Sequence, residues 1–488
     1  MSVIKKKKKM KNIASYVFLA TTVFGLYSCN KELDALPKGS RIDKIAVFDQ
    51  ASAQQVLNGA YYAFANAANV RGTEMTRWGT NQQEPATTAG YLGDGSFGAS
   101  PLEDNRMDRA LGYWNESYVL ISATNSTIKG VEELADSKFV MKKKSEILGE
   151  ARFLRAYGHF KLLSYYGQWY DIASPLGVLI RDEPSTLGNI SKARGSVKES
   201  YDFILSDLDY AIANAPETND KFYATKWAAM VLKMRVLMCR GAASDYATII
   251  SLANAVMAGP YKLEGNPKDI FYSKGLSSEE VILGVQPQAN QQTFYAAKSL
   301  AYASGRVIAK PKLKNLFAND PRKDWMVGNA STKVPNVEMY YFTKYIKQDG
   351  TPSQLSEVDY AIRLVEVHLL KAEAIVRSNG NIQDAKDIIH AIQSKSGITA
   401  TINTAPYLAI QNAPNNAALL VEIYKETVKN LVAEDGMEWL ALLRLPLVTI
   451  TGMQPTLKTQ NQFILAVPVS EFRLNPSFGE QNPGYPRS

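Results

Sequence analysis

The sequence predicts a mainly α-helical fold. Over many long stretches, apolar residues recur at spacings of three and four, which is the period of an amphipathic helix. These stretches follow one another in pairs, with Ala and Gly where neighbouring helices would meet. Paired helices that repeat at roughly 34 residues are typical of tetratricopeptide-like stacking. We therefore expect a tetratricopeptide-like superhelix, packed against irregular loop-rich segments with a few short strands.

The helical period defines the elements in chain order. The clearest stripe places Ala151, Leu154 and Leu162 on one face of a single helix. The predicted helices cover residues 51–67, 113–134, 147–166, 197–214, 226–240, 246–258, 360–378, 382–396 and 417–443. The helical pairs thus lie mainly within residues 51–260 and 360–445 of one body that spans residues 51–488.

Three segments have no helical period, namely residues 71–108, 261–351 and 460–488. They are rich in Gly, Pro, Asn and aromatic residues, and residues 280–285 form an apolar run typical of a strand. We expect a loop-rich insert at about 261–359 and an irregular C-terminal tail at 446–488. Long irregular segments in a folded body commonly carry function, which makes these segments the first candidates for a ligand site.

The N-terminus has the pattern of an export signal. Six lysines precede an apolar run at residues 13–26, and the segment from Leu26 to Cys29 resembles a bacterial lipobox. In such a signal, residues 1–28 are removed and Cys29 is acylated as the first residue of the mature chain. A transmembrane anchor is the alternative, but the apolar run is shorter than the roughly 20 residues that cross a bilayer.

Residues 29–50 are predicted to form a tether between the lipid and the body. They are polar and are interrupted by Pro37 and Gly39. Lys31 and Glu32 resemble the short signal that directs some lipoproteins to the outer face of the outer membrane. We therefore expect a lipid-anchored outer-membrane protein that faces the cell exterior.

Charge and cysteine content exclude several classes of function. Loss of residues 1–28 removes six lysines and no acidic residue, which lowers the formal charge from +8 to +2. No basic stripe remains, so a nucleic-acid partner is not expected. Cys29 and Cys239 are the only cysteines. With lipid on Cys29, Cys239 has no disulfide partner and should be a buried, small apolar side chain.

Metal, cofactor and catalytic patterns are absent or have a simpler explanation. The usual zinc spacing is missing from the three histidines, His159, His368 and His390. Glu366 and Glu373 share one helix face and could be read as a catalytic carboxylate pair. With Arg363 three residues before Glu366, an ion-paired structural role is the preferred interpretation. No metal, other cofactor or enzymatic activity is predicted.

Four blocks of sequence carry a family resemblance. They are the helix at residues 150–167, the helix at 363–374, the acid-Gly-aromatic turn at 434–439 and the C-terminal ending at 467–485. In this order they resemble the signatures of the SusD/RagB family of outer-membrane nutrient-binding lipoproteins. Thr-Val-Lys-Asn at residues 427–430 and Ala441 depart from the family's arginine-rich run and aspartate. These departures put one internal polar pairing in doubt and leave the fold unaffected.

The resemblance implies a receptor that does not catalyse. Members of this family have a tetratricopeptide-like superhelix and act together with a SusC-like TonB-dependent transporter. They capture an oligosaccharide at the cell surface and release it into the channel. RagB-like members handle peptides, so a peptide ligand on the same scaffold is the alternative.

The first candidate ligand-binding residues are Trp78 and Asn81. A sugar has an apolar C–H face and a rim of hydroxyls, so its site needs exposed aromatic planes beside amide or charged groups. Trp78, Gly79 and Asn81 offer this pairing, which resembles a glycan-contacting pair of the family, and Tyr91 could belong to the rim. Core packing of Trp78 is the alternative. Three other tryptophans lie on helical stripes and are expected in the core: Trp114, Trp227 and Trp439.

A second candidate group lies in the loop-rich insert. Gln291 and Gln292 precede Tyr295, and Tyr302 and Arg306 follow. Amides beside aromatic rings also suit carbohydrate, although these rings could instead pack beneath the insert. Two further classes of function remain open at this point. A glycosidase would need two carboxylates that face one cleft, and a purely helical scaffold would bind protein alone.

Overall fold

Helices form the frame of the protein, and the predicted mainly helical class is confirmed. The computed structural model describes residues 47–65, 86, 88–94, 106–285, 302–332, 336–346, 355 and 358–487. The helices before the insert are α1 (Gln50–Ala65), α2 (Arg106–Glu132), α3 (Lys143–Tyr166), α4 (Val197–Asn214), α5 (Lys226–Arg240) and α6 (Ala243–Met257). Those that follow are α7 (Pro311–Leu316), α8 (Lys323–Met326), α9 (Leu364–Arg377), α10 (Ile382–Ser394), α11 (Thr404–Gln411), α12 (Asn416–Leu431), α13 (Met437–Leu443), α14 (Leu447–Met453) and α15 (Val469–Leu474).

Capping residues explain why α4 and α5 have their predicted bounds. The Ser196 hydroxyl accepts from the Glu199 N–H at 3.2 Å, and the Glu199 carboxylate accepts from the Ser196 N–H at 2.7 Å. This reciprocal pair is a capping box, which satisfies two N–H groups that the first helical turn leaves free. The Thr225 side chain caps the start of α5. Gly241 ends α5 with a left-handed φ of 67°.

Glycines allow consecutive helices to approach closely. A Cβ atom at Gly149 of α3 would lie 2.5 Å from the backbone nitrogen of Ala215, at the end of α4. A Cβ atom at Gly158 would lie 2.9 Å from the Ile121 side chain of α2. The small residues predicted at contact positions therefore pack α3 between α2 and α4. The predicted core tryptophans are confirmed as buried: Trp114, Trp227 and Trp439.

Short antiparallel strands complete the fold. They are β1 (Leu92–Asp94), β2 (Val281–Val285), β3 (Val307–Ala309), β4 (Val327–Ala330), β5 (Tyr340–Phe342) and β6 (Asp359–Arg363). Strands β1, β3, β5 and β4 form one sheet in that order, and β2 pairs with β6 in a second. Strand β2 confirms the strand that was predicted from the apolar run at residues 280–285.

The prediction of one helix over residues 360–378 is wrong at its start. Residues 359–363 form β6, which pairs antiparallel with β2 so that Arg363 lies opposite Val281. Every residue of β6 is buried. A strand buried on both faces shows no alternation of polar and apolar residues, so the apolar period alone did not separate it from the helix that follows.

The prediction of one helix over residues 417–443 is also wrong. Helix α12 ends at Leu431 and α13 begins at Met437. Between them, Ala433, Asp435 and Gly436 have positive φ angles of 61°, 52° and 77°. A continuous right-handed helix cannot contain this conformation. Residues 432–436, which we call the acid-Gly turn, therefore interrupt the helical pattern.

The acid-Gly turn carries two buried carboxylates into the centre of the protein. Glu434 accepts two hydrogen bonds from Arg363, at 2.6 and 2.8 Å. Asp435 lies 2.5 Å from Arg235 Nη1 of α5 and 2.8 Å from Lys161 Nζ of α3. Buried charges are tolerated only when they are paired in this way. The turn thus connects α3, α5 and β6 through ionic contacts.

The expected ion-paired role of Glu366 and Glu373 is confirmed. Arg235 donates to Glu366, with Nη2 at 2.6 Å from Oε2, so the partner of Glu366 is not Arg363. Glu373 accepts from Arg444 Nη2 at 2.6 Å and from Arg377 Nε at 2.9 Å. Although burial alone would raise it, the two guanidinium groups hold the pKa of Glu373 down to about 2. Neither carboxylate is free for catalysis.

Other buried polar groups follow the same rule. His159 accepts from the Arg181 N–H at 3.2 Å through Nε2, which places the ring proton on Nδ1, 2.9 Å from the Arg155 carbonyl. Burial lowers the pKa of His159 to about 3, so the ring is neutral.

Cys239 is buried as predicted. Lys429, from the segment that departs from the family pattern, lies 3.2 Å from Asp320 and so does form a buried pair.

Candidate ligand-binding site

The two candidate ligand segments are anchored on adjacent strands. Residues 66–85, which include Trp78 and Asn81, precede β1 in the chain, and residues 286–301, which include Tyr295, precede β3. Strands β1 and β3 pair antiparallel, with Leu92 opposite Ala309 and Asp94 opposite Val307. Each strand has three residues and is therefore roughly 7 Å long. The two segments are thus tied to one short ladder.

Several predicted residues lie outside the part of the chain that the structure describes. Trp78, Asn81 and Tyr295 are among them, and so is the predicted lipidation site Cys29. Their roles remain predictions. Of the predicted ligand-binding residues, Tyr91, Tyr302 and Arg306 lie in the described part of the chain.

Tyr91 does not present an exposed ring, which corrects its predicted place on a ligand rim. Only 3% of the residue is accessible, and its hydroxyl lies 2.6 Å from the Tyr424 hydroxyl of α12. Burial raises the pKa of the Tyr91 phenol well above its usual range. A hydroxyl paired inside the protein is not available to a sugar, so Tyr91 instead joins the segment before β1 to α12.

Tyr302 is buried as well, which corrects the expectation of an exposed ring there. It is fully inaccessible and stacks on Tyr345 at a centroid distance of 5.4 Å and an interplanar angle of 27°. Phe342 of β5 lies at a centroid distance of 5.8 Å. This is the packing beneath the insert that the sequence left open as an alternative. Arg306, four residues later, is exposed beside the start of β3.

Sequence reasoning missed Lys312, which fixes the segment around Tyr91. Its ammonium donates to the carbonyls of Ala89 at 2.9 Å and Met453 at 3.1 Å, and to the Gln454 amide oxygen at 3.2 Å. It also lies 4.8 Å from the centre of the Tyr91 ring. Burial lowers the pKa of Lys312 to about 8. A single lysine after Pro311 gives no sequence signal of this role, since its partners are distant backbone carbonyls.

Within the described ranges, no group of three or more His, Cys, Asp or Glu side chains is arranged to hold a metal ion. In that same part of the chain, no helix has both the length and the apolar character needed to cross a bilayer.

Comparison with known proteins identifies this architecture. Residues 40–238 match a family model described as "Starch-binding associating with outer membrane", and residues 290–446 match one described as "SusD family". A SusD-like protein of Bacteroides ovatus is 24% identical over 282 residues, which are 55% of this chain and 48% of that protein. The chain thus spans about half the length of this relative.

Solved structures share the fold over nearly the whole chain. A SusD superfamily protein of Bacteroides thetaiotaomicron has a TM-score of 0.72 at 23% identity, and the match covers 89% of this chain and 100% of that one. Surface glycan-binding protein A of Bacteroides fluxus has a TM-score of 0.68 at 17% identity, covering 89% and 99%. The fold is a mainly helical, tetratricopeptide-like one, as predicted. The chain belongs to the SusD/RagB family of outer-membrane-associated binding proteins.

Proposed function

We propose that this protein is a lipid-anchored glycan receptor of the outer membrane. It captures an oligosaccharide at the cell surface and delivers it to a SusC-like TonB-dependent transporter. The observation that supports the proposal is the β1–β3 ladder, because the segment of Trp78 and Asn81 precedes β1 in the chain and the segment of Tyr295 precedes β3. The aromatic and amide side chains in these two segments suit a ligand that has both an apolar face and hydroxyls.

The family supports the choice of ligand class. One matching family model is described as starch-binding, and the B. fluxus protein with the same fold is a surface glycan-binding protein. The lipobox at Leu26–Cys29 supports the anchor, because the cysteine would carry the acyl chains that hold the protein at the membrane. Paired carboxylates at Glu366 and Glu373 support binding without catalysis, since both are occupied by arginines.

In this proposal each predicted residue has a separate task. The Trp78 indole stacks on the C–H face of a sugar ring, and the Asn81 amide donates to and accepts from its hydroxyls. Tyr295 provides a second ring from the neighbouring segment. Arg306 is exposed beside β3 and can donate to hydroxyls at the edge. Tyr91 and Lys312 act below them by fixing the backbone.

Calorimetry with a panel of oligosaccharides and peptides tests the proposal. We expect wild-type protein to bind at least one oligosaccharide, and Trp78→Ala and Asn81→Ala each to weaken that binding about tenfold or more, which is about 1.4 kcal/mol. Tyr407→Ala is the matched control, because this ring stacks on His390, on helices α11 and α10 outside the ladder. Binding of peptides alone would replace the glycan proposal with the RagB-like alternative.

A further inference from the structure

One end of the helical body has an exposed apolar tip. It is the turn between α2 and α3, where Val140 is 67% exposed and Met141 is 95% exposed. Phe48, directly before α1, is 51% exposed. The Val140 N–H donates to Gln50 Oε1 at 2.8 Å, so the turn lies beside the start of α1. We call Phe48, Val140 and Met141 the apolar tip.

The backbone holds Met141 at the vertex of this turn. The Lys143 N–H donates to the Val140 carbonyl at 3.1 Å, which closes the turn around Met141. Met141 has a φ of 51°, a left-handed conformation that glycine adopts freely and that other residues rarely adopt. A left-handed backbone costs free energy at a residue other than glycine, so the turn that exposes Met141 beside Val140 and Phe48 is a candidate for a function.

Lysines surround the apolar tip. No acidic residue occurs between Lys138 and Lys144. Lys144 pairs with Asp136 at 2.8 Å, and Lys143 lies 4.0 Å from Glu146. Lys138 and Lys142 are exposed, and no acidic side chain in the described part of the chain lies within ion-pair distance of either. Asp49, next to Phe48, is the acidic residue that Lys138 influences, since the Lys138 charge contributes to lowering the pKa of Asp49. An apolar vertex with a basic rim fits the boundary between acyl chains and anionic headgroups.

The position of the tip in the chain favours the membrane as its partner. Helix α1 begins at this end with Gln50, the last residue of the predicted tether that starts at Cys29. Helix α1 has 16 residues and therefore extends about 24 Å to Ala65, where the segment that contains Trp78 begins. The tip thus lies at the tether end of α1, and the candidate ligand segment starts at its other end.

We propose that the apolar tip docks on the anionic lipid surface of the membrane that holds the anchor. Val140 and Met141 enter the interfacial layer, while Lys138 and Lys142 contact headgroup phosphates. The proposal rests on the lipid anchor at Cys29. The anchor keeps the tip at a high effective concentration near the bilayer, so a small patch is sufficient.

The test uses the full lipidated protein in vesicles of equal parts phosphatidylcholine and phosphatidylglycerol. An environment-sensitive dye is attached to Met141→Cys, and to Leu187→Cys as the control, because Leu187 is 98% exposed on another loop. Cys239 is buried and does not react in the folded protein. We expect a blue-shifted emission and quenching by brominated lipid for the dye at 141 only. The double variant Lys138→Glu/Lys142→Glu should lower the inserted fraction several-fold, as should high salt.

Equal solvent exposure of the two dyes would overturn the proposal. A change at position 141 that requires membranes containing the transporter would also overturn it and would assign the tip to a protein partner. Flotation of the vesicles separates this result from failure of the anchor. Protein that does not float has no lipid, which contradicts both the anchor and the docking. Calorimetry on the same sample then shows whether glycan binding persists by itself.

Discussion

Arg363 holds Glu434 with two hydrogen bonds, from Nε at 2.6 Å and from Nη2 at 2.8 Å, across a sequence separation of 71 residues. Both side chains are at most 2% exposed. The third guanidinium nitrogen of Arg363 donates to Glu280 at 2.5 Å. Two of the sequence blocks that resemble the family, the helix at 363–374 and the acid-Gly turn, therefore meet in one buried ionic contact. This contact fixes the position of the end of β6 relative to the start of α13.

Loss of the Glu434 charge should destabilise the protein strongly. Glu434→Gln leaves the buried Arg363 and Lys344 without their shared carboxylate, and breaking a buried pair from one side costs about 3–5 kcal/mol. Urea unfolding followed by circular dichroism measures this loss. Asp202→Asn is the control, because its pair with Lys198 is exposed and should leave the free energy of unfolding unchanged. Similar behaviour of the two variants would show that the buried cluster does not stabilise the fold.

The helix contact at Gly149 gives a second prediction. Gly149→Ala should lower the free energy of unfolding by about 1–3 kcal/mol, because its Cβ atom would lie 2.5 Å from the Ala215 backbone. Gly112→Ala on α2 has no neighbour within 4 Å and should stabilise the protein by up to about 1 kcal/mol. Thermal unfolding of both variants checks the opposite signs. The same sign for both would contradict the packing of α3 on α4.

Glu438 should make stability depend on pH. It is fully buried in the first turn of α13, and its carboxylate oxygens have no hydrogen-bond partner among the described residues. Burial raises its pKa from the ordinary 4.5 to about 8. Between these values the folded state retains a proton that the unfolded chain releases, so this group lowers the free energy of unfolding as pH rises.

Glu438→Gln cannot ionise and removes this dependence. Relative to wild type, its free energy of unfolding should increase as pH rises above 4.5, with a slope of up to about 1.4 kcal/mol per pH unit until about pH 8. Urea titrations of both proteins at acidic, neutral and mildly alkaline pH measure the difference. A difference that stays constant with pH would mean that Glu438 is ionised in the folded protein.

The sequence was sufficient to predict those helices whose apolar period and end signals both come from residues nearby in the chain. Helices α4 and α5 have the predicted bounds because Ser196, Thr225 and Gly241 are capping residues that act within a few positions. Strand β6 was missed because its pairing with β2 is a long-range contact and all of its residues are buried. The break at the acid-Gly turn was missed because Ala433 gives no local reason for a left-handed backbone. Distant arginines hold that turn in place.

At the candidate site, too, local features could be predicted from the sequence and long-range contacts could not. The aromatic and amide composition of the two segments could be read directly, but the burial of Tyr91 and Tyr302 could not. Their partners, Tyr424 and Tyr345, come from other parts of the chain. The ion pairing of Glu366 was predicted correctly. Its partner, Arg235, was not, because it also comes from a distant part of the chain.

The packing role of Tyr91 gives a fourth prediction. Tyr91→Phe leaves the buried Tyr424 hydroxyl without this partner, which should lower the free energy of unfolding by about 1–3 kcal/mol. Ligand affinity should stay unchanged, because the ring remains and its hydroxyl points into the protein. Chemical unfolding and calorimetry on the same preparation separate the two effects. Weaker ligand binding with unchanged stability would show that Tyr91 belongs to the ligand rim.

The most direct test of a shared glycan site is a double-mutant cycle between the segment that precedes β1 and the segment that precedes β3. Calorimetry of wild type, Trp78→Ala, Tyr295→Ala and the double variant against the bound oligosaccharide measures their coupling. If both rings contact one ligand in one site, we expect a coupling free energy of at least about 0.5 kcal/mol. Strictly additive effects, or no oligosaccharide binding by the wild-type protein, would contradict it.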